Sequence, residues 1–308
     1  MLFIYHTVGD EIVYEDDIQK GCWINLVNPT EAEIQRVVSQ TGLSYEFLRY
    51  PLDDEELSRV ETEDDQVMII FNAPIVTKSE IIYDTIPVGI VMNDDFIVTV
   101  CLEDVNLFQD FASARAKGLA TFKKTRFVFQ LFHKKTKLFL KYLREINQKN
   151  LSIEASLNKS MKNQELFLLL NMQKSLVYFT TSLRANAKVL ERLLKNKAIK
   201  MYEEDEDLLD DVIIENTQAI EMADIYSNIS ASTMNAFASL ISNNLNNAVK
   251  FLTVITIILA IPTMFASFWG MNVEVPLAEI PGAFIIILVL CFAFCGLGAW
   301  LLHKRKML

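Results

Sequence analysis

Two charge-free apolar stretches near the C-terminus, Phe251 to Gly270 and Gly282 to Leu302, constrain this chain more than any other feature. Each is about 20 residues long, which at 1.5 Å per residue matches the roughly 30 Å hydrocarbon core of a bilayer. Neither contains Lys, Arg, Asp or Glu, so both are expected to span a membrane rather than to fill a soluble core. The first 30 residues carry Glu11, Glu15, Asp16 and Asp17 and no apolar leader, so the large N-terminal part is expected to stay untranslocated.

The flanks give the orientation. Lys250 precedes the first span and His303-Lys304-Arg305-Lys306 follows the second, whereas the connection 271–281 carries only Glu274 and Glu279. By the positive-inside rule both chain ends face the cytoplasm of a cell membrane, with a multi-pass hairpin between them. Trp269 and Trp300 fall near opposite interfaces, and the connection is too short for a receptor domain.

Composition fits one large soluble part with a small membrane part: 308 residues, 51% hydrophobic, mean hydropathy +0.23. A net charge of −10 argues against nucleic acid as a partner. The basic residues between Arg115 and Lys149, among them Lys123, Lys124, Arg126, Lys134, Lys135, Lys137 and Lys141, read as a solvated helix face. Cys22 and Cys101 form no framework with Cys291 and Cys295, which lie four apart in the second span and read as small packing residues.

Residues 1 to about 110 alternate short β-rich runs (Cys22–Val27, Gln66–Asn72, Pro87–Met92, Phe96–Leu102) with helical stretches near Ala32–Thr41 and Val105–Ala116, the pattern of an α/β domain. From Phe122 to Lys200 the apolar spacing turns to three and four, and no proline occurs between Pro87 and Pro262, so long antiparallel helices are expected. Asp205 to Lys250 lacks Gly and Pro and runs into the first span. As one helix this makes a rod of roughly 100 Å, which needs company; its apolar positions, including Leu209, Val212, Ile213, Ile220, Ala223 and Phe237, would find it in copies of themselves around an axis. The divisions are 1–120 α/β domain, 121–200 helical region, 201–250 stalk, 251–270 first transmembrane helix, 271–281 outer loop, 282–302 second transmembrane helix and 303–308 basic tail.

Within the first span, steps of three and four give Asn246, Val249, Thr253, Thr256, Ala260, Thr263, Ser267 and Gly270. Apart from Val249 each is small or bears a hydroxyl or amide, while Phe251, Ile255, Ile258, Phe265 and Phe268 point elsewhere. A 3.5-residue period is the seam of a left-handed bundle. Tight packing between membrane helices favours the same residues, but amides at both ends, Asn246 and Asn272, favour a pore lining.

The signature Gly270-Met271-Asn272 within Phe268-Trp269-Gly270-Met271-Asn272-Val273, the two C-terminal spans, the basic tail, the long preceding helix and Trp23-Ile24-Asn25-Leu26 together resemble the CorA family of magnesium transporters over essentially the whole chain. The resemblance implies a CorA-like homopentameric funnel. An α/β cytoplasmic domain is followed by long helices and a two-helix C-terminal transmembrane hairpin, and the first spans line a pore that admits Mg²⁺, with Co²⁺ and Ni²⁺ commonly accepted. Met271 favours magnesium over a zinc-transporting branch of the same fold. Mg²⁺ dehydrates reluctantly, and no carboxylate lies on the stripe, so a ring of Asn272 amides with the carbonyls of Gly270 and Met271 is expected to select the hydrated ion. Stripe and resemblance together place a hydrophobic gate at Val249 and Leu252.

Regulation by cytoplasmic Mg²⁺ is the point of departure. The resemblance maps the stalk carboxylate of the regulatory site onto Asp211, but its usual Glu-Asp partner aligns with Arg49-Tyr50, leaving Asp53 and Asp54 as the nearest replacements. Among other classes, an enzyme would need a catalytic constellation; His6, His133 and His303 are the only histidines, and no Gly-rich phosphate loop or nucleophile context occurs. A membrane-anchored scaffold without transport gives no reason for the polar stripe.

Overall fold

The computed structural model describes residues 1–9, 11–105, 107–108, 120–159, 163–196, 199–272 and 282–304. The sequence-predicted helix at Val105–Ala116, the loop acids Glu274 and Glu279 and the tail from Arg305 lie largely or wholly outside these residues. Two compact units divide the chain, Met1–Met234 and Asn235–Leu308.

The first unit is built on one seven-stranded sheet. Its strands are β1 (Leu2–Val8), β2 (Glu11–Glu15), β3 (Trp23–Val27), β4 (Arg59–Glu63), β5 (Gln66–Val76), β6 (Tyr83–Met92) and β7 (Ile97–Cys101), in the order β2-β1-β3-β7-β6-β5-β4. Only β3 and β7 pair in parallel, Trp23 opposite Ile97 through Val27 opposite Cys101. The intervening chain carries α1 (Glu31–Thr41), α2 (Tyr45–Arg49) and a 3₁₀ turn at Tyr50–Leu52. The Thr30 hydroxyl accepts from the Glu33 amide and the Glu33 carboxylate accepts from the Thr30 amide, so a capping box starts α1; Gly42, at φ 70°, ends it by donating to the Val38 carbonyl.

The period of two along the strands divides the core. Val67, Ile69, Phe71, Ala73 and Ile75 of β5 face one side, where they meet α3 (Lys124–Lys159), α4 (Asn163–Asn196) and the start of α5 (Glu203–Trp269). Met68 and Ile70 face the other, with Ile34 and Val37 of α1 and Phe47 and Leu48 of α2. The Trp23-Ile24-Asn25-Leu26 segment forms the buried centre: Trp23 Nε1 donates to the Thr99 hydroxyl at 2.8 Å, which donates to Asn25 Oδ1 at 2.9 Å.

Two close contacts fasten the surrounding segments to the sheet. β4 covers β5 only as far as Ile70, so the amide and carbonyl of Asn72 have no strand partner on that side. The buried Asn186 amide on α4 replaces it, accepting from the Asn72 N–H at 2.9 Å and donating to its carbonyl at 2.8 Å. On the opposite face, Pro51 lies against Gly89 of β6 so closely that a Cβ there would overlap the proline Cγ. Gly89→Ala is therefore expected to destabilise the fold by about 1–3 kcal/mol through overpacking against a ring that cannot rotate away. A denaturant midpoint equal to that of the parent would contradict the contact.

The basic residues between 115 and 149 are not all on a solvated face. Lys135 is fully buried, its ammonium 4.9 Å from the Phe132 ring centroid, 5.9 Å from those of Phe71 and Phe139, and 3.5 Å from Asn216 Oδ1 on α5. Position 135 continues the buried helical face of Val128, Leu131 and Phe132, which the density of basic residues around it conceals.

The long helix also corrects an expectation. Leu209 and Val212 enter the core beneath the sheet and Ala223 is buried within the same unit, so this chain itself supplies their company. Ile214, Ile225 and Ile229 remain exposed.

Candidate ion pathway

The second unit contains the C-terminal part of α5, from Asn235, and α6 (Ala283–Lys304). Both helices are long and apolar enough to cross a membrane. Pro262 lies inside α5 without ending it.

One face of α5 meets α6. Val254 is buried, and Ile258, Ile261 and Phe265 are half-buried, opposite half-buried Ile287, Cys291, Cys295 and Gly298. The Phe265 and Phe294 ring centroids are 5.5 Å apart, and a Cβ on Gly298 would stand 3.3 Å from Ile261 Cδ1. This is the close approach that small residues permit between membrane helices. At 100° per residue the stripe from Asn246 to Gly270 points roughly 150° away from that contact. Every member of the stripe is exposed in the single chain: Asn246, Val249, Thr253, Thr256, Ala260, Thr263, Ser267 and Gly270. Leu252, beside Val249, is also exposed.

The threonine hydroxyls on this face have a defined polarity. Thr253 donates to the Val249 carbonyl at 2.8 Å, Thr256 to that of Leu252 at 2.8 Å and Thr263 to that of Leu259 at 2.9 Å. Each hydroxyl proton is thereby committed to the helix, and the oxygen lone pairs are what the exposed side presents. Such a surface accepts hydrogen bonds. Sequence reasoning placed these residues on the stripe without assigning the bond direction, although a threonine inside a helix, four residues beyond a carbonyl, is the signal for it.

At its C-terminal end α5 stops at Trp269, and the Gly270 amide still donates to the Ala266 carbonyl at 2.9 Å. Met271 and Asn272 follow, both exposed. The carbonyl end of a long helix carries partial negative charge, so this terminus favours a cation. Trp300 sits one turn before Lys304 near the end of α6, with the ammonium 5.3 Å from its ring centroid.

The model of the CorA-like Mg²⁺ transporter protein family matches residues 19–305. This chain belongs to that family. Its relatives include the cobalt/magnesium transport protein CorA of Methanocaldococcus jannaschii, 29% identical over 292 residues that cover 91% of this chain and 89% of the relative. The complete structure of CorA magnesium transporter from M. jannaschii superposes with a TM-score of 0.82 at 23% identity, covering 99% of this chain and 98% of that one. The full-length CmaX protein matches at 0.71 and 14% identity over 99% and 96% of the two chains. The ZntB cytoplasmic domain from Vibrio parahaemolyticus matches at 0.62 and 13% over 79% and 96%. The CorA fold is thus present from the α/β unit to the C-terminal helices, and the family is one of membrane transporters, not enzymes.

Among the regulatory candidates, Asp211 is exposed on α5, and Asp53 and Asp54 are exposed just after the 3₁₀ turn. The latter two lie on a cleft of about 810 Å³ that also receives Glu31, Glu46 and Glu56. Arg49 stands in the same cleft and donates to the Tyr45 hydroxyl at 3.2 Å, while Glu56 pairs with Arg59. Among the described residues no group of three or more His, Cys, Asp or Glu side chains comes together within one chain to hold a metal ion.

Proposed function

We propose that this CorA-family chain is a divalent cation channel that takes up Mg²⁺, and also Co²⁺ or Ni²⁺, as a homopentamer in the cell membrane with both termini cytoplasmic. The observation that carries this reading is the polar stripe on the face of α5 turned away from α6, where Thr253, Thr256 and Thr263 present acceptor oxygens, leading to Gly270-Met271-Asn272. Water bound to a cation points its hydrogens outward. A lining of hydroxyl lone pairs therefore suits a hydrated cation and repels a bare anion. Mg²⁺ keeps its waters where no carboxylates replace them. Gly270, Met271 and Asn272 form the selecting ring, Asn246, Thr253, Thr256, Thr263 and Ser267 the wet wall, and Val249 with Leu252 the gate that closes by dewetting.

Closure is controlled by cytoplasmic Mg²⁺ held by Asp211 of one protomer and Asp53 or Asp54 of the next, with Arg49 lowering the affinity of that site by its own positive charge. The ion is thus both cargo and regulator.

The test is Mg²⁺ uptake by proteoliposomes of the purified chain, with competition by Co²⁺, Ni²⁺, Zn²⁺ and Mn²⁺, and the mass of the detergent-solubilised complex. Uptake inhibited by Co²⁺ and a mass of five chains are expected. Zn²⁺ flux indifferent to Mg²⁺ would replace this reading with a zinc transporter of the same fold, and absence of any metal flux with a membrane-anchored scaffold.

A further inference from the structure

Proline has no N–H, so Pro262 leaves the carbonyl four residues earlier, that of Ile258, without its helical donor. This break lies in the apolar part of α5, where no bulk water can repair it. The adjacent helix repairs it: the Cys295 thiol of α6 donates to the Ile258 carbonyl at 3.7 Å, a normal separation for sulfur. Gly298, one turn further on, lets α6 come this close, because even a Cβ there would crowd Ile261. The Phe265 and Phe294 rings pack on the other side of the break. Thiol, glycine and ring therefore flank the proline on one face, while Ala260 and Thr263 of the stripe flank it on the opposite one.

We propose that Cys295 is a positioning residue for the ion pathway. By holding the carbonyl released by Pro262, it ties the direction of the outer segment of α5, and with it Gly270-Met271-Asn272, to α6. The bond has no counterpart in sequence pattern, since the donor and the acceptor are 37 positions apart. Its consequence for flux rests on the pore reading above, whereas the bond itself does not.

The test is a cycle on the full-length protein in which Cys295→Ala, Cys295→Ser, Pro262→Ala and Pro262→Ala/Cys295→Ala are compared by thermal midpoint of the detergent-solubilised complex and by Mg²⁺ uptake. Cys295→Ala is expected to lower the midpoint and to reduce uptake about two- to threefold, the low end of what one net hydrogen bond spans, because a thiol is a weak donor. Cys295→Ser, which keeps a donor, is expected to retain both. In the Pro262→Ala background the amide at 262 bonds Ile258 directly, so adding Cys295→Ala should change neither quantity. Equal effects of Cys295→Ala in the two backgrounds, or a serine no better than alanine, would reduce Cys295 to a packing residue and overturn the proposal. If Pro262→Ala does not assemble, the serine and alanine comparison decides alone. The midpoints read the bond whether or not the chain conducts, so loss of the cycle in the midpoints and loss of Mg²⁺ flux in the parent are separate failures.

Discussion

Asn272→Ala is expected to reduce Mg²⁺ uptake to the level of empty liposomes while leaving the assembled complex and its thermal midpoint unchanged. Asn272 is exposed beyond the end of α5 and packs into no core, so its truncation removes an amide without opening a cavity. Its neighbours make it hard to replace. Gly270 has no side chain and Met271 offers only a thioether, so the amide oxygen is the one neutral side-chain acceptor in the triplet able to bond the water shell of a hydrated divalent ion. The hydroxyl oxygens of Thr263 and Ser267 lie deeper on the same face and cannot take over at the mouth. Parent-level Mg²⁺ flux through Asn272→Ala would remove the selecting ring from this position, and collapse of the oligomer would assign the residue to assembly instead.

Lys135→Met is expected to stabilise the first unit by on the order of 1–4 kcal/mol at neutral pH, as does replacement of other buried charges by apolar residues of similar size. Burial pushes the Lys135 ammonium down from 10.5 to about 7. The folded protein thus holds fewer protons at this position than the unfolded chain between pH 7 and 10.5, and the parent gains stability as pH rises through that window. The slope from this one group is at most about 1.4 kcal/mol per pH unit. Below pH 7 the cost is present in full, and above 10.5 it vanishes. The faces of Phe71, Phe132 and Phe139 and the Asn216 oxygen offset part of the cost, which explains how a lysine is tolerated there. The advantage of the Met variant should therefore be largest at pH 7 and below and should shrink toward pH 10. The His133–Glu215 pair on the same two helices is common to both proteins and cancels in the comparison. A difference that does not vary with pH, or a destabilised Met variant, would show that the ammonium is better held than its surroundings indicate.

The membrane half was the more legible in sequence. Charge-free length and a 3.5-residue period are local properties, and α5 and α6 carry them through whatever packs around them. Gly270-Met271-Asn272 stands out for the same reason, as three adjacent residues at a helix end. In the first unit, β3 and β7 coincide with two β-rich runs, β5 and β6 contain the other two but extend beyond them to Val76 and back to Tyr83, and the helix expected near Ala32–Thr41 is α1, Glu31–Thr41. Strands β1 and β2 carry strand formers, Phe3-Ile4-Tyr5 and Ile12-Val13-Tyr14, that the β-rich runs left out, whereas β4, Arg59–Glu63, is mostly charged and is held by pairing, Val60 opposite Ile69. Pairing across distant segments is not written in any one of them.

Residue types and spacing alone determined that two helices are long and apolar enough to cross a membrane, that one of them bears a polar seam, and that an amide, Asn272, follows the end of that seam. Tertiary structure decided what each side chain is for. It buried Lys135 among three rings when its neighbours in sequence suggested a wet surface. It set Asn186 against the free edge of β5, 114 positions away, and placed Cys295 against the carbonyl released by Pro262. It also turned the stripe away from α6, so that the hydroxyls bonded back to their own helix present only acceptors. A local sequence encodes the periodicity of a helix, but burial and hydrogen-bond direction depend on which distant segment arrives beside it, and that is settled only when the chain packs.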